Sequence, residues 1–343
     1  MDVIKAALIG LGCMGRSHLE NYIRLESEGY PVKLLAICDI DPEKLKGKLV
    51  QGNVETESTK YDLSKYSLYT DMYEMMEKED VDYIDITLPT YLHAEVSIKA
   101  LGKGLNVLCE KPMARSSKQC KEMIEAAAKN NKKLMIAQCL RFWPEYEILK
   151  EYVESKKFGA VTGAYFYRGG GTPIWSYQNW LLQNDKSGGC LLDQHIHDVD
   201  MINWLFGKPE KVSAIAKNVI PGSGYDIVST NYIYSDKKVI NAQDDWTLNG
   251  DYGFKMLYRV NFEKGNLIYE DGKLTINPNE GKRFVPEHPN ETGYYREIKY
   301  FIDCLLNNKP ITVATPESTM DAITIAEAEV ASADMVGEPV SLR

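Results

Sequence analysis

Apolar and polar positions follow one rhythm in the first half of the chain and another in the second. In the first half, short apolar runs alternate with stretches of helical character. Ile4, Ala6, Ala7, Leu8 and Ile9 form one such run, as expected of a strand buried on both faces. The stretch from Arg16 towards Glu28 suits a helix, and Val32–Cys38 is a second strand. Asp41 and Pro42 read as the N-cap and first residue of the next helix. Gly52 to Lys65 is polar and reads as surface, and Asp71 reads as the cap of a short helix. Val81–Pro89 is another core strand, followed by a helix from near His93 to about Lys103. Leu105–Glu110 is a strand, Ser116 and Ser117 open a helix, and Lys132–Gln138 closes the half with another strand. Such alternation predicts a doubly wound parallel sheet with right-handed crossovers.

A helix from Pro144 to about Lys157 begins the second half. Period-two stretches then dominate: 160–168, 211–219, 227–235, 255–263 and 266–276, separated by turns such as Pro221-Gly222-Ser223-Gly224. Strand following strand across short turns predicts an open, mostly antiparallel sheet with helices on one side, an α+β domain. Two helices close the chain, about Tyr294 to Leu306 and Glu317 to Met335. The division expected is 1–138 and 139–343, with the last helices able to pack back on the first domain.

The first strand runs into Gly10-Leu11-Gly12-Cys13-Met14-Gly15, and strand, Gly-x-Gly-x-x-Gly, helix is the order of a dinucleotide site. Gly10 allows the tight turn, Gly12 lets a pyrophosphate approach the backbone, and Gly15 lets helix and strand pack closely. The helix N-terminus offers free N–H groups to the phosphates. The second strand ends at Asp39, where a carboxylate can hold the adenosine ribose hydroxyls. It favours NAD over NADP, because it would repel a 2′-phosphate.

Other strand ends meet the same edge. Thr87-Leu88-Pro89-Thr90 and Glu110-Lys111-Pro112 lie there, where ligands bind in open parallel sheets. Lys111 can donate to a substrate oxygen. His93, at a helix start, is a candidate for cofactor contact or for packing alone. In the stretch 188–207, Leu192, Ile196, Val199, Ile202, Asn203 and Phe206 recur at three and four, which predicts one helix stopped by Gly207. At about 100° per residue, Asp193 and His197 then share a face, and His195 points roughly 200° away from His197. Asp193 and His197 form a candidate acid/base pair, the carboxylate orienting the imidazole. The diverging histidines cannot share an ion on a helix, so no metal is expected.

Composition narrows the rest. The 343 residues suit two domains, and the formal net charge of -9 argues against nucleic acid or an anionic membrane as partner. No apolar run approaches the roughly 20 residues that span a bilayer. The seven cysteines are scattered, with no Cys-x-x-Cys pair, and read as reduced, buried thiols of a cytoplasmic protein.

Together, Gly10-x-Gly12-x-x-Gly15, Thr87-Leu88-Pro89 with His93, Glu110-Lys111-Pro112, Asp193-x-x-x-His197 and the C-terminal stretch 294–318 resemble the Gfo/Idh/MocA oxidoreductases over essentially the whole chain. The resemblance implies a Rossmann domain followed by an open-sheet domain, assembled as a homodimer or homotetramer. It implies NAD(P)-dependent oxidation or reduction at a carbinol carbon of a sugar, inositol or related polyol. Lys111, Asp193 and His197 carry over as catalytic residues. Gly10, Gly12, Met14, Gly15, Asp39, Leu88, Pro89, His93 and Glu110 carry over to the cofactor, and Arg141 and Tyr294 to the substrate. His195 departs from the pattern, since a Gly is common two residues after the Asp. The same scaffold also occurs in glycosidases that keep NAD bound and in nucleotide-sensing regulators.

Overall fold

A computed structural model describes residues 3–47 and 61–342. Most of the polar stretch Gly52–Lys65 lies outside the described residues. The first sheet holds β1 (Ile4–Ile9), β2 (Val32–Cys38), β3 (Ser67–Tyr69), β4 (Tyr83–Ile86), β5 (Asn106–Glu110) and β6 (Leu134–Ala137). All pair in parallel, in the order β3-β2-β1-β4-β5-β6. The order reverses between β1 and β4, so the crevice at their carboxyl ends is where a ligand fits. Of these strands, β3 has no apolar run to announce it: its three residues are Ser67, Leu68 and Tyr69. The helix caps follow the side chains expected of them. Asp41 accepts from the Glu43 amide, Asp71 from Tyr73 and Glu74, and Ser116 from Gln119.

The second sheet comprises β7 (Val161–Gly169), β8 (Lys211–Lys217), β9 (Ile227–Ile233), β10 (Val239–Asp245), β11 (Lys255–Phe262), β12 (Gly265–Glu270), β13 (Lys273–Pro278) and β14 (Val340–Ser341). Their order is β13-β12-β11-β7-β10-β9-β8-β14, antiparallel except where β7 meets β10. β10 escapes a sequence reading because its inward positions, Ile240, Ala242 and Asp244, end in a carboxylate. The inner face of this sheet packs on the helices Pro144–Ser155, Ile196–Phe206 and Pro316–Asp334 in one core shared with the first sheet.

The helix Gly293–Leu306 crosses back to the first sheet. Its Tyr295, Ile298, Phe301 and Ile302 share a core with Leu8, Leu19, Tyr22 and Tyr83. The expected single helix through 188–207 is two: Gly189–Asp193 and Ile196–Phe206. Between them the Cys190 carbonyl accepts both the Gln194 and the His195 amides, each at 2.9 Å. The second bond spans five residues, and a π-type turn of this kind shifts the phase of everything after it. None of the seven cysteines is in a disulfide, and six of them are buried.

Candidate active site

The carboxyl ends of β1, β2, β4 and β5 open into a cavity of about 1020 Å³. Gly10, Gly12, Met14, Asp39, Leu88, Pro89 and Glu110 line it from the first sheet, and Lys111, Asp193, His197 and Tyr294 line it further on.

The glycine turn has the shape its sequence implies. Gly10 has φ +99°, and a Cβ there would lie 2.7 Å from the Thr87 carbonyl oxygen. A Cβ on Gly15 would overlap the Gly10 carbonyl, whereas one on Gly12 would meet nothing within 4 Å. So Gly15 is consumed by helix–strand packing, and the space over Gly12 is open to a ligand. The helix Cys13–Ser27 has no side-chain cap and no acidic residue in its first turn, which leaves its N-terminus to an anion. These features fit a dinucleotide's pyrophosphate.

Asp39 is buried at the end of β2. Its Oδ2 accepts from the Leu11 amide (2.7 Å) and Lys44 Nζ (2.9 Å), and its Oδ1 from the Asp41 amide (2.8 Å). A basic residue, Lys44, therefore stands beside this carboxylate, five positions along the chain. Glu110 reaches the cavity wall, but its carboxylate is committed to His18 Nε2 (3.1 Å) and the Lys111 amide (3.0 Å).

At the other end, Lys111 Nζ donates to the Asp193 carbonyl (2.8 Å) and lies 3.7 Å from Asp193 Oδ1. Asp193 therefore serves Lys111. The expected hydrogen bond from Asp193 to His197 is not formed: His197 Nδ1 is buried with no partner among the described residues. The physical reason is the π-type turn, which breaks the i,i+4 register on which that pairing rested. Burial, Lys111 and Arg168 hold the His197 imidazole well below the ordinary histidine value, so it is neutral at pH 7.

Two further expectations are corrected. Arg141 does not reach the cavity. Its Nε and Nη2 grip the buried Asp200 at 2.8 and 2.7 Å, and Nη1 donates to the Val313 carbonyl and Ser318 Oγ, none of which lines the cavity. Four of the five N–H donors of this guanidinium are thus committed away from the cavity. His93 is 1% exposed, with Nδ1 on the Pro112 carbonyl and Nε2 on the Leu88 carbonyl, each at 2.7 Å. It braces two cavity loops from behind without lining the cavity itself.

Sequence reading passed over Trp175, Tyr177 and Trp180, which line the cavity from the segment after β7. Lys44 Nζ sits 5.5 Å from the Tyr177 ring centroid, so this segment reaches from the second sheet to the Asp39 end. The signal was a Gly169-Gly170-Gly171 run followed by closely spaced aromatics. It has no period, so it announces no element.

The open space over Gly12, the uncapped helix and the buried Asp39 define a dinucleotide-binding α/β protein with a second, sheet-based domain. The chain belongs to the Gfo/Idh/MocA family. Residues 4–138 match the model of the oxidoreductase family with an NAD-binding Rossmann fold, and residues 146–268 match the GFO/IDH/MocA C-terminal domain. Trans-1,2-dihydrobenzene-1,2-diol dehydrogenase of Xenopus laevis is 33% identical over 275 residues, 75% of this chain and 80% of that protein. Inositol 2-dehydrogenase of Salmonella typhimurium is 26% identical over 267 residues, 76% of this chain and 72% of that one. For three other curated relatives at 28% or 29% identity, the matched stretch spans only 61%, 56% and 60% of their length. The structure of a levoglucosan dehydrogenase in complex with NADH and levoglucosan has the same fold, with a TM-score of 0.84 at 19% identity, covering 99% of this chain and all of that one.

Proposed function

We propose that this protein is an NAD-dependent oxidoreductase acting at a carbinol carbon of a sugar, inositol or related polyol. The observation that carries the reading is one cavity bounded at one end by the open glycine turn and at the other by Lys111, Asp193 and His197.

The glycine turn and helix N-terminus would hold the pyrophosphate, and Asp39 the ribose hydroxyls. When bound, the nicotinamide supplies a hydride acceptor or donor. The protein's own residues do the proton chemistry. A substrate hydroxyl between Lys111 and His197 loses its proton to the neutral imidazole, and the Lys111 ammonium hydrogen-bonds the developing alkoxide. Asp193, beside Lys111, keeps that ammonium in place. Tyr294, edge-on to Trp143, walls the substrate end, and burial pushes its phenol well above the ordinary value. It can therefore donate a hydrogen bond but not act as a base.

We also infer a cytoplasmic homodimer or homotetramer formed through the second sheet, whose outward positions include Tyr165, Leu257 and Ile268. The net charge of -9 disfavours nucleic acid and anionic membrane as partners, and among the described residues no helix is long and apolar enough to cross a membrane. Light scattering on the purified chain tests the assembly, and a monomer would end that inference.

The activity is tested by following the reduced-nicotinamide absorbance with NAD+ and a panel of inositols, aldoses and cyclic diols. A rise with one polyol supports the reading. Bound NAD(H) that survives purification, with sugar release and no net rise, would replace it with a glycosidase. NAD binding with neither would replace it with a sensor.

A further inference from the structure

His195 lies behind the proposed active site and is 0% exposed. Its Nδ1 is 2.6 Å from Asp244 Oδ2 on β10, and its Nε2 is 3.2 Å from the Tyr232 hydroxyl on β9 and 3.5 Å from Glu329 Oε2 on the helix Pro316–Asp334. Alongside, Arg168 on β7 holds Asp198 through Nε–Oδ2 (3.2 Å) and Nη2–Oδ1 (3.1 Å). Three carboxyl groups thus meet two cations in a space with no water access. Arg168 is taken by Asp198. That leaves His195 as the counter-ion of both Asp244 and Glu329, and among the described residues Glu329 Oε1 and Oε2 and Asp244 Oδ1 have no hydrogen-bond partner. Burial opposes charge on His195, but Glu329 and Asp244 outweigh it and hold the imidazole protonated.

The position of this anchor in the chain gives it a consequence. His195 is the residue whose amide makes the five-residue bond to the Cys190 carbonyl, and it stands two residues before His197. The ladder resumes directly after it, with the Asp198 and Val199 amides on the His195 carbonyl. Its side chain is tied to two strands and a helix from distant parts of the chain, so the π-type turn is pinned from the core side. That turn brings His197 to the cavity without a carboxylate partner. A glycine here would offer no such tie.

We propose that His195 is a positioning residue for His197: its imidazolium, clamped by Asp244, Glu329 and Tyr232, pins the turn that aims the His197 ring into the cavity. The inference rests on His197 being the proton acceptor.

The test uses His195→Gln and Glu329→Gln in the full chain with saturating NAD+, with folding checked by thermal melting. The primary readout is the NMR titration of the His197 ring, assigned by its loss in His197→Asn, which needs no substrate. Loosening the turn lets water reach the ring, so both variants should raise its pKa towards the ordinary histidine value. A purely electrostatic effect of the cluster would give opposite signs, because one substitution removes a cation and the other an anion. A merely structural role would lower the melting temperature of both and move neither titration. With substrate, kcat of His195→Gln should fall roughly tenfold or more while NAD affinity stays within about twofold. If His195→Gln does not fold, the sign of the Glu329→Gln shift decides. Unmoved titrations or shifts of opposite sign overturn the proposal. Full turnover by His197→Asn would instead overturn the role of His197 itself.

Discussion

The two ends of the cavity are built from different materials. The dinucleotide end is mostly backbone: a glycine turn, the first amides of a helix and one carboxylate, all within the first 39 residues. The opposite end is mostly side chains, Lys111, Asp193, His197 and Tyr294, drawn from three separate stretches. Backbone sites depend on what is missing from a residue and tolerate no addition. Side-chain sites depend on where a residue is held and fail by loosening.

The largest effect expected from that contrast is at Gly15. Gly15→Val drives a side chain into the Gly10 carbonyl, so NAD binding should be lost outright in calorimetry. Retained affinity would show that the turn can relax. Next is His197→Ala, expected to lower kcat by roughly 10²- to 10⁴-fold with NAD affinity nearly unchanged. If both parameters fell together, the two ends would not be separable. Arg141→Leu breaks a buried ion pair that the cavity does not use. It should cost about 3–5 kcal/mol of stability by denaturant melting, with KM changed little in protein that remains folded. Asp39→Ala should weaken NAD roughly tenfold and relax discrimination against NADP, since Lys44 would lose its carboxylate. A larger loss of NADP than of NAD would reverse that assignment.

The smallest effect is one of pH. His197 is held below the ordinary histidine pKa, near 6.5, so the base stays neutral through pH 7, and kcat should fall only as pH drops through the lowered value. The same depression means that the unfolded chain binds the proton more readily. Its contribution to stability is present above about 6.5 and is lost as pH falls through the folded value. His195 runs the other way: its raised pKa contributes stability below about 6.5, which is lost only as pH rises through the raised value. An acid limb in kcat at or above 6.5 would mean that water reaches His197.

The strands β1, β2, β4, β5 and β6 and most of the second sheet were readable because each buries a run or an alternation of apolar side chains. β3 and β10 were not, the one for its length and the other for its inward Asp244. Lys111, Asp193 and His197 were legible as chemistry, and all three line the cavity. Their pairings were not: Asp193 stands beside Lys111, because the helix that would have joined it to His197 is interrupted at His195. Arg141 looked free in sequence, yet its partner Asp200 lies 59 positions away.

The sequence alone determined most of the elements, the glycine turn, the carboxylate after β2 and the identities of the side chains proposed to react. These follow from local periodicity and from the absence of a side chain at fixed places. Only the tertiary structure decided which charge each of those groups meets. Ion pairs such as Arg141–Asp200, Arg168–Asp198 and His195–Asp244 join residues far apart in the chain. A buried charge takes whichever partner the fold brings within about 3 Å, and no spacing along the chain records that distance.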